Sequence, residues 1–466
     1  MKNTNSLDDT IVAISTPIGE GGIGIVRMSG RDSLLIADKI FRSKEGKVPS
    51  KLKSYTTHYG HIVDTGEKQE VIDEVIVTIM RSPKSYTKED TVEINCHGGM
   101  VPLKKILELV LYLGARLAEP GEFTKRAFLN GRIDLAQAES VLDIIKAKTD
   151  ASLHAALGQL EGALSKKVKS LRGELVDLAS HVEGSIDFPE EDIEILSDCR
   201  LKERIGDIIH ELKELIKTAD RGTVLREGVR TVICGRPNVG KSSLMNSLLK
   251  ERRVIVSHIP GTTRDAIEEL INIDGIPLKV VDTAGILEAE DLLTKEGVER
   301  SRFHIRSADL IIFVLDGSEP ITDNDRVIMD EIREKSVIAA VNKRDLPKRL
   351  DLKEIEDVFG KDSIIEISVM EDRNINALEA AISQKIWGGE VETDHTVMVT
   401  NARHKTLLGE TKSALERTLK DADNGVPVEI LSIHIKEAIG SLGEITGEAI
   451  DEEILNRIFG KFCIGK

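Results

Sequence analysis

The stretch that most restricts this chain is TVICGRPNVGKSSLMNSLL at 231–249, where an apolar strand runs into G-x-x-x-x-G-K-S and then into an amphipathic helix. Gly235 and Gly240 let the backbone wrap a phosphate, so that successive N–H groups through Val239 point inward at the positive end of the helix dipole. Lys241 is placed to reach the β and γ phosphates, and Ser242, followed by Ser243, to ligate Mg²⁺. A strand before the loop and a helix after it leave little room for a chance glycine-rich turn.

A phosphate site does not name the base. The stretch VIAAVNKRD does, because a buried strand ends in N-K-x-D with Asn342, Lys343 and Asp345. The Asp345 carboxylate can accept from both N1–H and the exocyclic amine of guanine, a donor pair that adenine lacks, so the expected ligand is GTP. Between the two motifs, LKVVDTAG carries Asp282 towards the Mg²⁺ water shell, with Thr283 and Ala284 leading to Gly285 at the γ-phosphate. Upstream, PGTTRD offers Gly261 and the switch hydroxyls of Thr262 and Thr263. SIIEIS ends a strand at Ser368, where the last guanine-contacting loop is expected. Apolar strands alternate with helical stretches from 222 to 388, which predicts a doubly wound α/β domain of Ras-like topology with a hairpin turned at Asp274-Gly275.

The rest of the chain is too long for one core. At 466 residues it predicts two to four domains, and 40% apolar with 31% charged residues is ordinary for a soluble protein. No apolar run approaches a membrane span and the first ten residues lack a signal-peptide core, so the expected location is cytoplasmic. Four scattered cysteines with no CxxC pair support neither a disulfide framework nor a zinc site. A net charge of −16 opposes indiscriminate nucleic-acid binding but leaves room for a local basic patch.

Leu157, Leu160, Leu164, Val168, Leu171, Leu175, Leu178 and Val182 recur at steps of three and four, which predicts one continuous helical seam. A second helical block follows the α/β domain, so that domain is expected to be inserted into a helical domain whose halves pack together. GEGGIG at 19–24 formally matches a dinucleotide fingerprint, but the strand-like IVRMSG that follows argues against it. VEINCHGG and EPGEFTKRAFLNGRIDLAQAE crowd charged groups around apolar and glycine residues; on physical grounds alone, surface turns and helix caps are the favoured account of these. The chain closes on FCIGK, which does not fit a prenylation box because Gly465 and Lys466 follow the Cys463 region.

With these regions in hand, the chain resembles the tRNA modification GTPase family called MnmE or TrmE. The resemblance rests on TIVAISTPIGEGGIGIVRMSG, CHGG, EPGEFTKRAFLNGRIDLAQAE, SIDFPEE, GRPNVGKSS, PGTTRD, DTAG, NKRD, ITGE and the terminal FCIGK. It implies a multidomain α/β and α fold: an N-terminal α+β folate-binding-like and dimerisation domain (1–121), helical segments (122–221 and 389–466) and the inserted GTPase domain (222–388). It further implies a homodimer and a partnership with the flavoprotein MnmG in modifying C5 of the wobble uridine of certain tRNAs. The one-carbon unit would come from a tetrahydrofolate derivative in its 5-formyl or methylene form, with Arg27, Glu93, Arg126, Asn130 and Lys466 in or near the folate pocket. Cys463 is then a candidate functional thiol, and a buried structural cysteine is the alternative.

By the same resemblance Asn238 helps hold a K⁺ ion against the phosphates, completed by the loop bearing Ser257, Ile259, Thr262 and Thr263, and the ion offsets charge in place of an arginine finger. One departure stands out: where the family carries a switch glutamate this sequence has Thr294, and Leu287 where an arginine is common. Either Glu290 or Glu296 substitutes after a local shift, or hydrolysis is slower. Two other readings compete, a ribosome-assembly GTPase and a folate-sensing regulatory GTPase without modification chemistry. No second P-loop or basic GxxG module supports the former.

Overall fold

The computed structural model describes residues 8–187, 198–252, 268–281, 303–388 and 397–466. The chain divides into two compact units, one of Met1–Leu142, Leu160–Ile195 and Val426–Lys466, the other of Asp143–Gln159 and Leu196–Gly425. Among the described residues no helix is long and apolar enough to cross a membrane.

The first unit is built on strands β1 (Ile11–Ile14), β2 (Gly24–Ser29), β3 (Phe41–Ser43), β4 (Thr56–Val63), β5 (Val71–Met80), β6 (Thr91–Cys96) and β7 (Arg116–Leu117). They form one sheet in the order β3-β4-β5-β6-β2-β1-β7, antiparallel except for the β1–β7 pair. Successive side chains of a strand take opposite faces. Val12, Val26, Met28, Val92 and Ile94 therefore join the main core with Leu34 and Ile40 of helix Ser33–Ile40 and Leu103 and Ile106 of helix Met100–Tyr112. The other face carries Ile11 and Ala13, covered by Phe123 of helix Glu122–Leu129 and by Ala118. Ala13 pairs with Arg27, and Arg27 with Glu93, so these two charged residues lie along that second face. GEGGIG leads into the strand β2, as the residues after it indicated.

The predicted seam is not one helix. Asp150–Leu160 and Ala163–Asp187 are separate, broken at Gly162, whose φ of +84° is the left-handed geometry that ends a helix. Leu157 is accordingly exposed, whereas Leu164, Val168, Leu171, Leu175, Leu178 and Val182 are buried along the second helix. That helix packs on Val428–Thr446 through Leu431, Ile435, Ala438 and Leu442. Each fully buried leucine contributes about 1.5–3 kcal/mol from apolar surface removed from water.

The second unit holds strands β8 (Val229–Cys234), β9 (Glu268–Ile273), β10 (Ile276–Val281), β11 (Leu310–Asp316), β12 (Val337–Asn342) and β13 (Ile364–Glu366), in the order β13-β12-β11-β8-β10-β9. All pairs are parallel except the β9–β10 hairpin. Its two turn residues, Asp274 and Gly275, have φ of 48° and 85°, the left-handed pair a two-residue hairpin requires. Both faces of the sheet are buried: Ile312 and Val314 of β11 face one apolar cluster, Ile311, Phe313 and Leu315 the other. This is the doubly wound, Ras-like arrangement. The long helix Asp198–Glu227 feeds β8 and packs on Ala402–Asp423. Where the chain returns from the sheet, the Val399 N–H donates to the Thr218 hydroxyl (3.1 Å), and a β-carbon at Gly222 would collide with the Val399 carbonyl. The strands are thus an insertion between paired helices.

Candidate functional site

The phosphate loop is fixed by positions only glycine can fill. Gly235 leaves β8 at φ +148°, and a β-carbon there would meet the carbonyl oxygen of Val314 on the neighbouring strand. Gly240 has φ +104°, and its β-carbon would strike the Asn342 amide. Between them Asn238 is exposed at φ 62° and Val239 is buried. Helix Lys241–Arg252 starts at once, with Leu244 N–H on the Gly240 carbonyl (2.9 Å), and Ser242 and Ser243 are exposed on its first turn. The first-turn N–H groups have no acceptor within the helix and are directed at the loop's concavity. Lys241 Nζ donates to the Arg236 carbonyl at 3.0 Å, which holds the amine across the loop.

The residues expected to read the base are wired to that loop. Asn342, buried at the end of β12, donates from Nδ2 to the Val239 carbonyl (2.9 Å) and accepts the Val369 N–H (3.1 Å). One side chain therefore ties the phosphate loop to the loop after β13, where Ser368 Oγ donates to Asp345 Oδ1 at 2.5 Å. Lys343 sits at φ 66° with Nζ 2.5 Å from Asp316 Oδ2. Burial pushes the Asp316 carboxyl up, but the hydrogen bonds from Lys343 and Ser318 outweigh it and hold it below the usual range. Asp316, at the end of LIIFVLD, was not singled out from the sequence; its signal was an acidic residue closing a fully apolar strand. Ser257, Ile259, Gly261, Thr262, Thr263, Asp282, Thr283, Ala284, Gly285, Leu287, Glu290, Thr294 and Glu296 lie outside the described residues.

The chain's last residues close on the second face of the N-terminal sheet. The Gly465 carbonyl accepts from Arg27 Nη1 (3.1 Å) and from Ser15 Oγ (3.2 Å), while Arg27 Nε holds Glu93 Oε1 at 2.7 Å. Gly465 has φ +93° and a β-carbon would hit the Ile14 carbonyl, so this docking too needs glycine. Gly121 N–H reaches the Cys463 carbonyl (3.4 Å), and a β-carbon at Gly121 would crowd Phe459. Phe459 and Phe462 anchor the tail in an apolar cluster with Ala127, Leu135 and Leu142. Ser15 and Tyr86 at this site were not legible in the sequence.

Two family models cover the chain, one described as the MnmE helical domain over residues 135–463 and one as the GTP-binding protein TrmE N-terminus over 10–132. The tRNA modification GTPase MnmE of Alkaliphilus metalliredigens (strain QYMF) is 51% identical over 468 residues, 99% of this chain and 100% of that protein. The protein of the same name from Geobacillus thermodenitrificans (strain NG80-2) is 49% identical over 459 residues, 98% of this chain and 99% of that one. The chain belongs to the MnmE family of tRNA modification GTPases. It is a GTPase, with the multidomain architecture of that family. A variant of Era from Aquifex aeolicus bound to GDP·AlF₄⁻ aligns at 27% identity over 40% of this chain and 66% of that one, with a TM-score of 0.27.

Within this MnmE-family chain, the residues expected at the N-terminal site fall into two groups. Arg27, Glu93 and Lys466 come together at the docked tail: burial, then the neighbouring Arg27, lowers the Lys466 ammonium, with Glu93 opposing. Arg126 instead is 3% exposed and bound to Asp9, to Glu89 (3.2 Å) and to Glu122 (3.1 Å). Arg116 joins the same cluster through Asp9 (2.7 Å) and Glu122 (2.6 Å). For both acids burial works upward first, and the arginines overcome it, so Asp9 and Glu122 are held below their ordinary values. Asn130 donates to the Thr87 carbonyl (2.7 Å). Arg126 and Asn130 thus brace the helix Glu122–Leu129. Cys463 is exposed, whereas burial pushes Cys96 up to about 11 and Cys234 up to about 12, leaving those two as inert packing groups.

Proposed function

We propose that this chain couples K⁺-dependent GTP hydrolysis to tRNA modification: with the flavoprotein MnmG it alters C5 of the wobble uridine of certain tRNAs, adding an aminomethyl-type group from a folate-derived one-carbon unit. The observation that carries this reading is the tail docked through Gly465 on Arg27 and Ser15, in a chain matched end to end by tRNA modification GTPases. Such a tail brings the Lys466 amine close enough to feel the charges of Arg27 and Glu93, and Cys463 is exposed three residues before it. Arg27 and Glu93 offer a cation and a carboxylate of the kind that orient a folate derivative, and Lys466 stands near them. Arg126 and Asn130 brace the helix Glu122–Leu129.

In the nucleotide site Lys241 and the first-turn N–H groups hold the phosphates, Asp345 reads guanine, and Asn342 keeps the two loops in register. Ser242, exposed on the first helical turn, would hold Mg²⁺ together with Asp282. Asn238, exposed between the two constrained glycines, would hold K⁺ with Ser257, Ile259, Thr262 and Thr263. The cation's contribution is to offset phosphate charge as it builds. A homodimer through the N-terminal unit would cover the exposed Ile18, Ile23, Met100 and Val101.

Steady-state hydrolysis of GTP by the full chain in KCl and in NaCl at equal ionic strength tests the engine. At least tenfold faster turnover in KCl is expected, and Asn238→Ala should remove that ratio. Equal rates in both salts would refute the K⁺ reading. Nucleoside mass spectrometry of tRNA from cells lacking the gene tests the remainder: an unaltered wobble uridine profile would overturn it.

A further inference from the structure

The tail site carries more positive charge than its carboxylates neutralise. Tyr86 lies between two cations: the Arg132 guanidinium is 4.8 Å and Lys466 Nζ 6.0 Å from its ring centroid. Neither has a carboxylate within salt-bridge distance among the described residues, although the chain as a whole carries −16. Their placement is built rather than incidental. Asn130 Nδ2 to the Thr87 carbonyl (2.7 Å) and Lys88 Nζ to the Gly131 carbonyl (2.9 Å) staple the turn before Arg132 to the loop bearing Tyr86. The Tyr86 hydroxyl is fixed against Thr124 at 2.9 Å, and Gly465 pins the tail just before Lys466. Arginine and lysine held by an aromatic ring keep their N–H groups for a ligand, and the planar guanidinium matches phosphate oxygens two at a time.

We propose that Arg132 and Lys466, braced on Tyr86, form a seat for a backbone phosphate of the RNA. This rests on the reading of tRNA as the substrate, and it places the RNA strand at the tail, next to Arg27 and Glu93. A polyanion gains from such a seat by releasing counterions, which makes the contact measurable by its salt dependence. A carboxylate of a small organic acid has related chemistry, and the test separates the two.

The binding constant of the full chain for an unmodified tRNA transcript is measured across a salt series, for the unaltered chain and for Arg132→Gln, Lys466→Gln and Arg132→Lys. Each glutamine variant should lower the slope of log K against log salt, and the two substitutions combined should lower it by about 0.7–0.9, the share of one phosphate contact. Arg132→Lys, which keeps the charge, should retain the slope and so exclude a folding defect. Binding of 5-formyltetrahydrofolate to the same variants forms the second arm. Unchanged tRNA slopes overturn the proposal, and unchanged slopes with weakened folate binding reassign the seat to a carboxylate. Failure of the unaltered chain to bind tRNA at all would overturn the tRNA reading and the seat together.

Discussion

The phosphate loop and the tail site are assembled in opposite ways. At the phosphate loop, Gly235, Asn238, Gly240 and Lys241 are neighbours in sequence, and the long-range partner Asn342 helps to fasten them. At the tail site nothing is local: Arg27 meets Glu93 across 66 positions and the Gly465 carbonyl across 438. The first site is a motif that happens to need a sheet beneath it. The second exists only when the sheet, the helix Glu122–Leu129 and the tail have all folded. The contrast predicts that damage near the tail shows up as lost stability, and damage at the nucleotide loops as lost ligand.

The sharpest way to break that contrast is Arg126→Met. Arg126 is 3% exposed and faces Asp9, Glu89 and Glu122. Deleting one partner of a buried ionic cluster leaves the others uncompensated, at a cost of about 3–5 kcal/mol. Urea denaturation followed by far-UV circular dichroism should lose that much stability. A loss under about 1 kcal/mol would mean that the acids relax into water and that the site is less dependent on long-range packing than argued.

The same contrast explains how much was legible beforehand. The nucleotide loops could be read because phosphate and guanine chemistry demand fixed residue types at short spacing, and the hairpin at Asp274-Gly275 because left-handed turns demand them too. Asp316 escaped notice because its partner, Lys343, is supplied by the turn that follows the adjacent strand. At the tail, Arg27, Glu93, Arg126 and Lys466 come from family resemblance, and the pairing of Arg126 with Asp9, Glu89 and Glu122 is visible only in the fold. No spacing rule links residue 15 to residue 465, so Ser15 and the role of the Gly465 carbonyl emerge only from the fold. The helical seam misled for a different reason. Its periodicity continues through Gly162, and periodicity does not register a backbone reversal.

A smaller effect, on ligand rather than stability, is expected of Asp345→Asn. The asparagine oxygen can still accept from Ser368 Oγ, so the fold is kept, but the second acceptor for guanine becomes a donor. Affinity for GDP should fall by about 10- to 100-fold, or about 1.4–2.8 kcal/mol, with xanthosine diphosphate gaining relative to it. Isothermal titration reads both. Retained guanine selectivity would show that the backbone of the Ser368 loop, not Asp345, reads the base.

Acid should separate the two units by a smaller margin. Asp9 and Glu122 are held below their ordinary values of 3.8 and 4.5 by Arg116 and Arg126, and Asp316 is held below 3.8 by Lys343 and Ser318. A carboxylate depressed in the folded state binds fewer protons than in the unfolded chain, so its contribution is complete above the ordinary value and drains away as pH falls through the folded one. Two such groups share one cluster in the N-terminal unit, and a single one supports the nucleotide site. The proton uptake on unfolding that these groups supply is therefore larger for the first unit, whose stability should fall more steeply below pH 4.5. The sole tryptophan, Trp387, packs against the apolar core of the nucleotide unit and reports on it alone. On acidification, far-UV circular dichroism should begin to change before Trp387 fluorescence does. Coincident transitions would show that the two units unfold as one and that the Arg126 cluster does not set the acid limit.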